Sequence, residues 1–461
     1  MTTFASDAEF WQSSPKLTYV LRYCRAVQAP PFAVLAAVLA RVATVVPPNI
    51  VAPAFVGASP APLNLFVAVV GESGDGKGLA ETTAAAMLPD MLGAETVLPA
   101  SGEGLVTLFA GRRAVEGVDG PTKRTELVAV NQRALLSVPE IGNLGAAMGR
   151  QGSTLSSVLL SAWSGERLGG HKVDSDKNLR ATPFGYKLNL ITGVQPARSD
   201  VLFSRDGEGL PQRFLWVDTT DRDAPPPKEL PEKPKGTLGF DTGEFKKVQP
   251  SPELLTRLYQ AGGVGMMPKL EDGSTQYPLT ILTYPRAAWD AVRLDGYNRL
   301  TKQRPDGMDA HALLVRIKLA GLFAMLEKRE DTPWTVTADD WERARYMMLK
   351  STQTREACEA TASGRRISQR ERQLTEDGAA KDRADRQLHT ERVADCKTRL
   401  PELVRKLSLQ APDGVPEGRL RAGIAGANKE GVAEALSELV AEGVLASTTG
   451  ERGGTRYSLA R

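Results

Sequence analysis

Residues 64–78 read NLFVAVVGESGDGKG and carry more structural information than any other stretch of the chain. The apolar run Leu65–Val70 has the composition of a buried β-strand and leads directly into the pattern G-x-x-x-x-G-K, which spans Gly71 to Lys77. A helix-like run, Leu79–Leu92, follows. Strand, glycine-rich loop and helix in this order are the context of a phosphate-binding loop, in which backbone N–H groups and the helix N-terminus face phosphate oxygens.

The pattern predicts a site for ATP in which Lys77 reaches the β- and γ-phosphates. The residues expected to form the cradle are Gly71, Ser73, Gly74, Asp75, Gly76, Lys77, Gly78 and Leu79. One position departs from the pattern: a Ser or Thr that binds Mg²⁺ usually follows the lysine, and here the residue is Gly78. The alternative, a glycine-rich turn without a ligand, explains less of this context. We expect ATP and Mg²⁺ as ligands, with the metal-binding residues left open.

Length and composition bound the class of protein. The 461 residues suffice for two to four domains, and 41% hydrophobic with 25% charged residues is ordinary for a soluble protein. The net charge of +3 means that any contact with nucleic acid must come from local patches. Cysteines and histidines are too scattered to predict disulfides or a zinc site, which fits a reducing cytosol. They are Cys24, Cys358, Cys396, His171, His311 and His389.

One apolar stretch, Pro30–Val46, resembles a membrane span in composition only. It is shorter than the ~20 residues that a span needs, and Arg41 interrupts it. We therefore expect a packed helix, no membrane association and no secretory signal.

The middle of the chain alternates apolar strands with helical segments, which predicts an α/β core over residues 61–221. The predicted strands are Leu65–Val70, Glu126–Val130, Ala134–Val138, Leu188–Thr192 and Arg213–Asp218. Residues 1–60 are predicted to be helical, with helices over Ser14–Val27 and Pro31–Val45.

The part of the chain after the core divides into four predicted segments. They are a Pro- and Lys-rich linker and extension (222–279), a helical lid (280–351), a charged helical connector (352–392) and a small domain (393–461). Thr337–Asp340 has the pattern of a helix start. The small domain is interpreted as a winged helix, with three helices over Val393–Leu407, Pro416–Ala425 and Lys429–Glu442, followed by a hairpin.

An ATPase also needs a carboxylate at the end of a neighbouring strand to orient the attacking water. Glu140 follows the predicted strand Ala134–Val138, although Pro139 stands where an aspartate is usual. Gln195, or less favourably Thr192, is the candidate sensor of the γ-phosphate after the next strand. Arg213 is the candidate finger that stabilises transition-state charge in a neighbouring subunit. Solvent-exposed acidic and basic residues without a catalytic role remain the alternatives for Glu140 and Arg213.

Four segments in this order resemble the P-loop ATPase module of phage, plasmid and actinobacterial integrative-element replication proteins, which are relatives of superfamily-3-type AAA+ helicases. The segments are PLNLFVAVVGESGDGKG (62–78), SVPEIGNLGAAMGRQGSTLSSVLLSAWSGERLG (137–169), LITGVQP (190–196) and GLPQRFLWV (209–217). The resemblance spans about residues 15–350.

The resemblance implies an AAA+-like homo-oligomer, with six subunits as the expected number, that translocates on DNA in the cytoplasm of a bacterial or phage-infected cell. It implies the roles given above for Lys77, Glu140, Gln195 and Arg213. It also suggests Arg316 as a lid arginine that touches the γ-phosphate, with a plain helix-surface arginine as the alternative. Since no primase residues are apparent, a separate primase or polymerase is the expected partner.

Two regions are candidates for DNA contact. By the same resemblance, a polar hairpin within residues 164–181 would point into the ring channel and contact a single strand through His171, Lys172 and Lys177, although Asp174 and Asp176 would repel phosphate. The winged helix would bind duplex DNA through its basic residues. These are Arg419, Arg421, Lys429, Arg452 and Arg456. The acidic residues of its third helix oppose this role, and docking of a protein is the alternative.

Two other functions remain open from the sequence. A nucleotide-gated DNA-binding or helicase-loader protein with little hydrolysis is favoured by the departures at Gly78 and Pro139. A structural or defence-related ATPase, whose winged helix docks protein, is the other. DNA stimulation of ATP turnover would separate the helicase from both.

Overall fold

A computed structural model of the chain describes residues 3–115, 125–170, 178–204, 209–269, 273, 276–303, 309–450 and 453–460. The chain divides into two compact units, Met1–Gly364 and Arg365–Arg461. Each unit has its own hydrophobic core. The predicted α/β class is confirmed, since the larger unit contains a parallel sheet with helices packed on it.

The described elements have the following bounds. The helices are α1 (Asp7–Gln12), α2 (Pro15–Ala26), α3 (Pro31–Val45), α4 (Lys77–Met87), α5 (Gly102–Thr107), α6 (Ile141–Met148), α7 (Leu155–Ser164), α8 (Asp200–Phe203), α9 (Gly243–Val248), α10 (Pro252–Ala261), α11 (Arg286–Leu300), α12 (Ala312–Glu327), α13 (Ala338–Ser408), α14 (Glu417–Gly423) and α15 (Val432–Ala441). The strands are β1 (Ile50–Ala52), β2 (Ala61–Pro62), β3 (Phe66–Val70), β4 (Glu95–Val97), β5 (Ala110–Ala114), β6 (Thr125–Ala129), β7 (Arg133–Val138), β8 (Lys187–Val194), β9 (Phe214–Asp218), β10 (Thr280–Ile281), β11 (Val415–Pro416), β12 (Leu445–Thr449) and β13 (Thr455–Leu459).

The central sheet has five parallel strands in the order β4-β7-β8-β3-β9. Strand β3 lies between β8 and β9, and Val70 at its end is opposite Val194 and Asp218. All residues of β3 and β8 are buried, as expected for interior strands of a parallel sheet covered on both faces. The strands therefore end together along one side of the sheet, which we call the carboxyl edge.

The five strands predicted from the sequence are all present, with bounds shifted by two residues or fewer. One of them lies outside the central sheet, because β6 pairs antiparallel with β5 in a separate hairpin. The fifth parallel strand is instead β4, which has the sequence Glu-Thr-Val and borders the sheet at β7. Such a short, largely exposed edge strand has no apolar run by which the sequence could indicate it.

Helix α3 is the packing centre of the larger unit. All fifteen of its residues are buried, and it lies against the central sheet and α4. A helix that is apolar on every side is stable only when it is covered on every side, so the prediction of a packed helix is confirmed. Arg41 is accommodated because its Nε donates a hydrogen bond to the Leu88 carbonyl at 2.9 Å. None of the described helices is long and apolar enough to cross a membrane.

The region predicted as a linker and extension, residues 222–279, contains two helices. Helix α10 begins at Pro252 behind the cap Ser251, and it buries Leu255, Leu258 and Tyr259. The next region, 280–351, is also not wholly helical as predicted, because β10 pairs in parallel with β1. The strand β10 depends on long-range pairing that a local pattern does not indicate. Helix α10, in contrast, carries local helix signals at Ser251, Pro252 and Gly262 that the sequence prediction did not use.

Helix α13 begins where the sequence predicted. The Thr337 backbone N–H donates to Asp340 Oδ2 at 3.0 Å, and the Asp340 N–H donates to Thr337 Oγ1 at 3.2 Å, which is a reciprocal cap. The helix then continues for 71 residues, through the predicted connector. Its Ser351 hydroxyl accepts a hydrogen bond from the Trp216 backbone N–H at 2.9 Å, and this contact covers the edge strand β9.

The smaller unit combines the last turns of α13 with α14, α15 and a three-stranded antiparallel sheet in the order β11-β13-β12. Val393, Leu400, Leu436 and Leu445 are among the residues of its core. The third predicted helix starts late, because Gly426–Gly431 forms a 3₁₀ segment before α15. This segment begins at a glycine with positive φ, which an α-helix does not accept.

Lys187, the first residue of β8, gives a testable prediction about stability. Its ammonium group is fully buried and has no hydrogen-bond partner among the described residues. Burial, and to a lesser extent the guanidinium of Arg133, lower the pKa of Lys187 to about 7, whereas an unfolded lysine titrates near ~10.4. Between these values the unfolded state binds more protons, so this lysine makes the free energy of unfolding rise with pH.

We therefore expect Lys187→Met to stabilise the protein by about 1–3 kcal/mol at pH 7, because it removes an unpaired buried polar group. The advantage should shrink as the pH approaches 10. Urea unfolding at several pH values measures both effects, with the exposed Lys228→Met as control. A destabilised Lys187→Met protein, or an advantage independent of pH, would contradict this account.

Candidate functional site

The glycine-rich loop, residues 71–76, joins β3 to α4 at the carboxyl edge. Gly74 and Gly76 have φ angles of +94° and +87°, a region that other residues adopt only with strain. The Glu72 backbone N–H donates to Asp75 Oδ2 at 2.7 Å, which holds the loop closed on itself. Helix α4 begins immediately afterwards at Lys77, so its unpaired N–H groups lie beside the loop.

Lys77 turns its side chain back into this loop. Its Nζ donates hydrogen bonds to the carbonyls of Gly71 at 2.9 Å and Glu72 at 2.8 Å. The same Nζ lies 3.8 Å from Glu140 Oε1, and only 9% of the lysine side chain is exposed. The ammonium group is thus held at the mouth of the loop by weak, replaceable partners.

Glu140 and Gln195 complete the group. Each follows a strand of the sheet, β7 and β8 respectively, and Gln195 Nε2 donates to Glu140 Oε1 at 3.1 Å. The second carboxylate oxygen, Oε2, is buried and has no hydrogen-bond partner within the described residues. Thr192, the less favoured sensor, points its hydroxyl at the neighbouring Gly193 carbonyl instead. Three predicted residues from distant parts of the sequence therefore lie together.

A cavity of about 570 Å³ opens beside this group, within the size range of small-ligand sites. Its lining comes from the loop, the first two turns of α4 and the ends of β7 and β8. The residues that bear on its chemistry are Arg41, Ser73, Gly74, Gly76, Lys77, Gly78, Glu81, Thr82, Ser137, Pro139, Glu140 and Gly193. One ammonium, one guanidinium and two carboxylates thus line a space next to backbone N–H groups. Leu79, the last residue of the predicted cradle, lies in the second position after Lys77 and is partly exposed.

A smaller cavity, of about 330 Å³, lies near the ends of β3 and β9. It is lined in part by Trp11 and Phe32, and four of its charged groups form two ion pairs. Lys350 contacts Asp7 at 2.6 Å, and Arg25 contacts Asp221 at 3.1 Å. Because the larger cavity has the unpaired carboxylate oxygen and the loop, that cavity is the candidate site.

The sequence did not lead us to Gly193. The absence of a side chain at this position allows Lys77 and Pro139 to lie close to β8. A side chain at this position of β8 would place its Cβ 2.2 Å from the Pro139 carbonyl oxygen and 3.3 Å from Lys77 Cε. Gly71 is similarly constrained, because its Cβ would meet Thr219 Oγ1 at 2.4 Å. A glycine inside an apolar strand often marks a close backbone approach, and this was the available signal.

Arg213 lies away from the group. It precedes Phe214, which is opposite Phe66 at the amino end of β3, four residues or about 13 Å from the carboxyl edge. Its guanidinium donates to the Gly209 carbonyl at 2.6 Å and lies 5.3 Å from the ring centre of Trp163. Burial lowers the pKa of Arg213, with a smaller opposing effect from Glu166.

Arg316, the candidate lid arginine, is in contact with Trp341. Its guanidinium lies over the Trp341 ring at 3.9 Å, and Nη2 donates to the Trp341 carbonyl at 3.4 Å. Burial lowers the pKa of Arg316 to about 10. A role as lid arginine would require this stacking to break.

The DNA-contact candidates are divided between described and undescribed parts of the chain. His171, Lys172, Lys177 and Arg452 lie outside the described residues. Arg419 and Lys429 are exposed, and Lys429 falls in the 3₁₀ segment rather than in α15. Arg456 is half-buried, and its Nη1 donates to the Gly414 carbonyl at 3.4 Å.

The acidic residues around α15 have partners on α13. The pairs are His389 with Glu434 at 2.6 Å, Lys397 with Glu438 at 2.9 Å, Lys397 with Glu442, and Arg392 with Glu430. These carboxylates therefore face α13, where they help to hold the two helices together. The sequence indicated the acidic residues but not their partners.

No protein-family model matches the chain, and no curated protein matches it. The functional argument therefore depends on the residues and their geometry.

Gly193 provides a test of the site's construction. We expect Gly193→Ala to lower the free energy of unfolding by about 1–3 kcal/mol and to weaken ATP binding, because the added methyl group displaces Pro139 and Lys77. Gly142→Ala, in α6 with open space around its Cβ, is the matched control and should be neutral or slightly stabilising. Urea unfolding and equilibrium nucleotide binding measure the two effects. Equal behaviour of the two variants would show that the close approach at Gly193 is unimportant.

Proposed function

We propose that the chain is an ATP-dependent DNA helicase or translocase with a P-loop, AAA+-like core. The observation that carries the ATPase part is the meeting of Lys77, Glu140 and Gln195 beside the glycine-rich loop. At one edge of a parallel sheet, these residues bring together a cation that can bind phosphate, a carboxylate that can orient water and a polar amide. Ligands of open parallel sheets bind at this edge.

The residues present fit ATP. Positive-φ glycines and the start of α4 offer backbone N–H groups, and the partners of Lys77 among the described residues are two carbonyls and a partly exposed carboxylate. The buried Glu140 Oε2 is an acceptor without a partner among the described residues. Mg²⁺-bound ATP supplies the phosphoanhydride bond and part of the charge neutralisation.

Each residue then has a defined task. Lys77 exchanges its carbonyl contacts for β- and γ-phosphate oxygens. Glu140 accepts a hydrogen bond from the attacking water and orients it, while Gln195 fixes the carboxylate by donating to Oε1. Pro139, in the position of the usual aspartate, offers no carboxylate to the metal.

The finger role proposed for Arg213 requires an oligomer. At the amino end of β9, Arg213 is remote from the Lys77 group of its own chain, so a catalytic role requires a site on a neighbouring copy. This agrees with the ring, of six subunits, that the resemblance implies. Arg213 would have to exchange its contact with Gly209 for the neighbour's phosphate.

DNA binding is the part of the proposal that depends most on the resemblance. The smaller unit has the element order of a winged helix: the last turns of α13, β11, α14, α15 and the β12-β13 hairpin. The carboxylates of Glu434 and Glu438 on α15 pair with His389 and Lys397 of α13, which offsets part of their repulsion of phosphate. Arg419 and Lys429 are exposed. A separate primase or polymerase would supply priming.

A second candidate function is a nucleotide-gated DNA-binding or loader protein that hydrolyses little ATP. The specific observation in its favour is the absence of a hydroxyl at Gly78 and of a carboxylate at Pro139. A defence-related ATPase with a protein-docking winged helix is a further alternative, and DNA-independent turnover would favour it.

Steady-state ATP hydrolysis with Mg²⁺, with and without single-stranded DNA, tests the proposal. We expect DNA to stimulate turnover. Lys77→Ala should lower turnover about 100-fold or more, because transition-state charge loses its cation. Glu140→Gln should lower turnover by a similar factor while ATP still binds, because the general base is lost.

The exposed Lys246→Ala serves as the matched control for lysine removal and should retain wild-type turnover. ATP binding without turnover above that of Lys77→Ala would exclude a motor and favour the loader function. Turnover that DNA does not change would leave an ATPase of the defence-related kind.

A further inference from the structure

We propose that the carboxylate of Glu81 supplies the oxygen ligand for the nucleotide-bound divalent cation that the missing hydroxyl at position 78 would otherwise provide. The inference rests on the proposed function, since the cation accompanies ATP. It assigns a metal-binding role to a residue outside the phosphate-loop pattern.

The place of the missing hydroxyl is open. A Cβ built on Gly78 would have no atom within 4 Å, so the first turn of α4 leaves unfilled space beside the cavity. Thr82, one turn later, does not fill this role. Its hydroxyl is within 3.1 Å of the carbonyls of Gly78 and Leu79 and is committed to the helix backbone.

Glu81 is placed to reach this space. It follows Gly78 by three residues, so both lie on the same side of α4. Helical side chains lean towards the N-terminus, and a residue covers the surface above the preceding turn. Glu81 lines the same cavity as Gly78, Ser137 and Glu140.

No described residue competes with a cation for the Glu81 carboxylate through a hydrogen bond or an ion pair. This carboxylate makes no hydrogen bond and no ion pair with any residue that the structure describes. Arg41, which also lines the cavity, is a described cation whose titration Glu81 affects, and its guanidinium already donates to the Leu88 carbonyl. Burial lowers the pKa of Arg41, and Glu81 raises it by a smaller amount.

The chemistry of the donor set fits a nucleotide-bound cation rather than a permanent metal centre. Mg²⁺ takes oxygen ligands and is commonly held by one or two carboxylates together with substrate phosphates. No group of three or more His, Cys, Asp or Glu residues in the described chain could hold a metal alone. Glu140 is engaged by Gln195 and Lys77 through Oε1, and its unpartnered Oε2 is the acceptor proposed above for the attacking water. Glu81 is the other carboxylate that lines the cavity.

Binding of Mn²⁺ in the presence of AMP-PNP, a poorly hydrolysed ATP analogue, tests the inference without turnover. The loss of the free Mn²⁺ electron paramagnetic resonance signal reports the affinity. Three variants are compared with the wild type: Glu81→Gln, the same variant carrying Gly78→Thr, and Glu103→Gln. Glu103, an exposed carboxylate on α5, is the control because it does not line the cavity.

We expect Glu81→Gln to weaken Mn²⁺ binding about tenfold or more, whereas Glu103→Gln leaves it unchanged. Addition of Gly78→Thr to Glu81→Gln should recover most of the loss, because the hydroxyl then enters the open space. Unchanged Mn²⁺ affinity in Glu81→Gln, with AMP-PNP still bound, would overturn this inference alone. Failure of Gly78→Thr to restore any affinity would also count against it, because the space would then not be a ligand position.

A separate measurement distinguishes failure of the proposed function. Binding of a fluorescent ATP analogue to the wild type, with EDTA and with Mg²⁺, is measured first. An absence of nucleotide binding in both conditions would overturn the proposed function, and the role of Glu81 with it.

Discussion

The parallel register of β3 between β8 and β9 is the constraint on which the rest of the site depends. It brings the ends of β3, β7 and β8 to one edge of the sheet, so that residues more than fifty positions apart in the chain come into contact. The loop after β3 provides Lys77, the end of β7 provides Glu140, and the end of β8 provides Gln195. The buried helix α3 supports this sheet from one side, and its apolar surface fixes where the strands lie.

The electrostatics of the group suit a site that exchanges partners. Lys77 is nearly buried, yet it is bound by two carbonyls and, at 3.8 Å, by a carboxylate that is one-third exposed. A partly exposed ion pair of this length contributes little stability. A triphosphate carries several negative charges and can offer two oxygens to the same ammonium group. It can therefore replace these partners of Lys77 with little loss of free energy. The same exchange would release Glu140 Oε1 from Lys77 while Gln195 keeps the carboxylate in place.

Local patterns in the sequence were sufficient for the α/β class, the five strands, the helix over Pro31–Val45 and the three residues of the group. They were insufficient where a contact joins distant segments. The need for glycine at position 193 arises from the Pro139 carbonyl, and the partners of the acidic residues of α15 lie on α13. The exposed strand β4 depends on its pairing with β7, which no short pattern encodes. Helix α10 was missed although Ser251, Pro252 and Gly262 are local helix signals. Arg213 was predicted from its place at the start of a strand and Arg316 from the resemblance, and neither signal determines the contacts of a guanidinium, which here are the Gly209 carbonyl and the Trp341 ring.

The central claim is that the glycine-rich loop and Lys77 bind the β- and γ-phosphates of a nucleotide. Isothermal titration of the wild-type protein with ATP, ADP and AMP in the presence of Mg²⁺ tests it most directly. The account predicts that ATP and ADP bind and that AMP binds about 100-fold more weakly or worse, because AMP lacks the phosphates that several N–H groups and an ammonium would contact. AMP bound as tightly as ATP, or no binding of ATP, would contradict it.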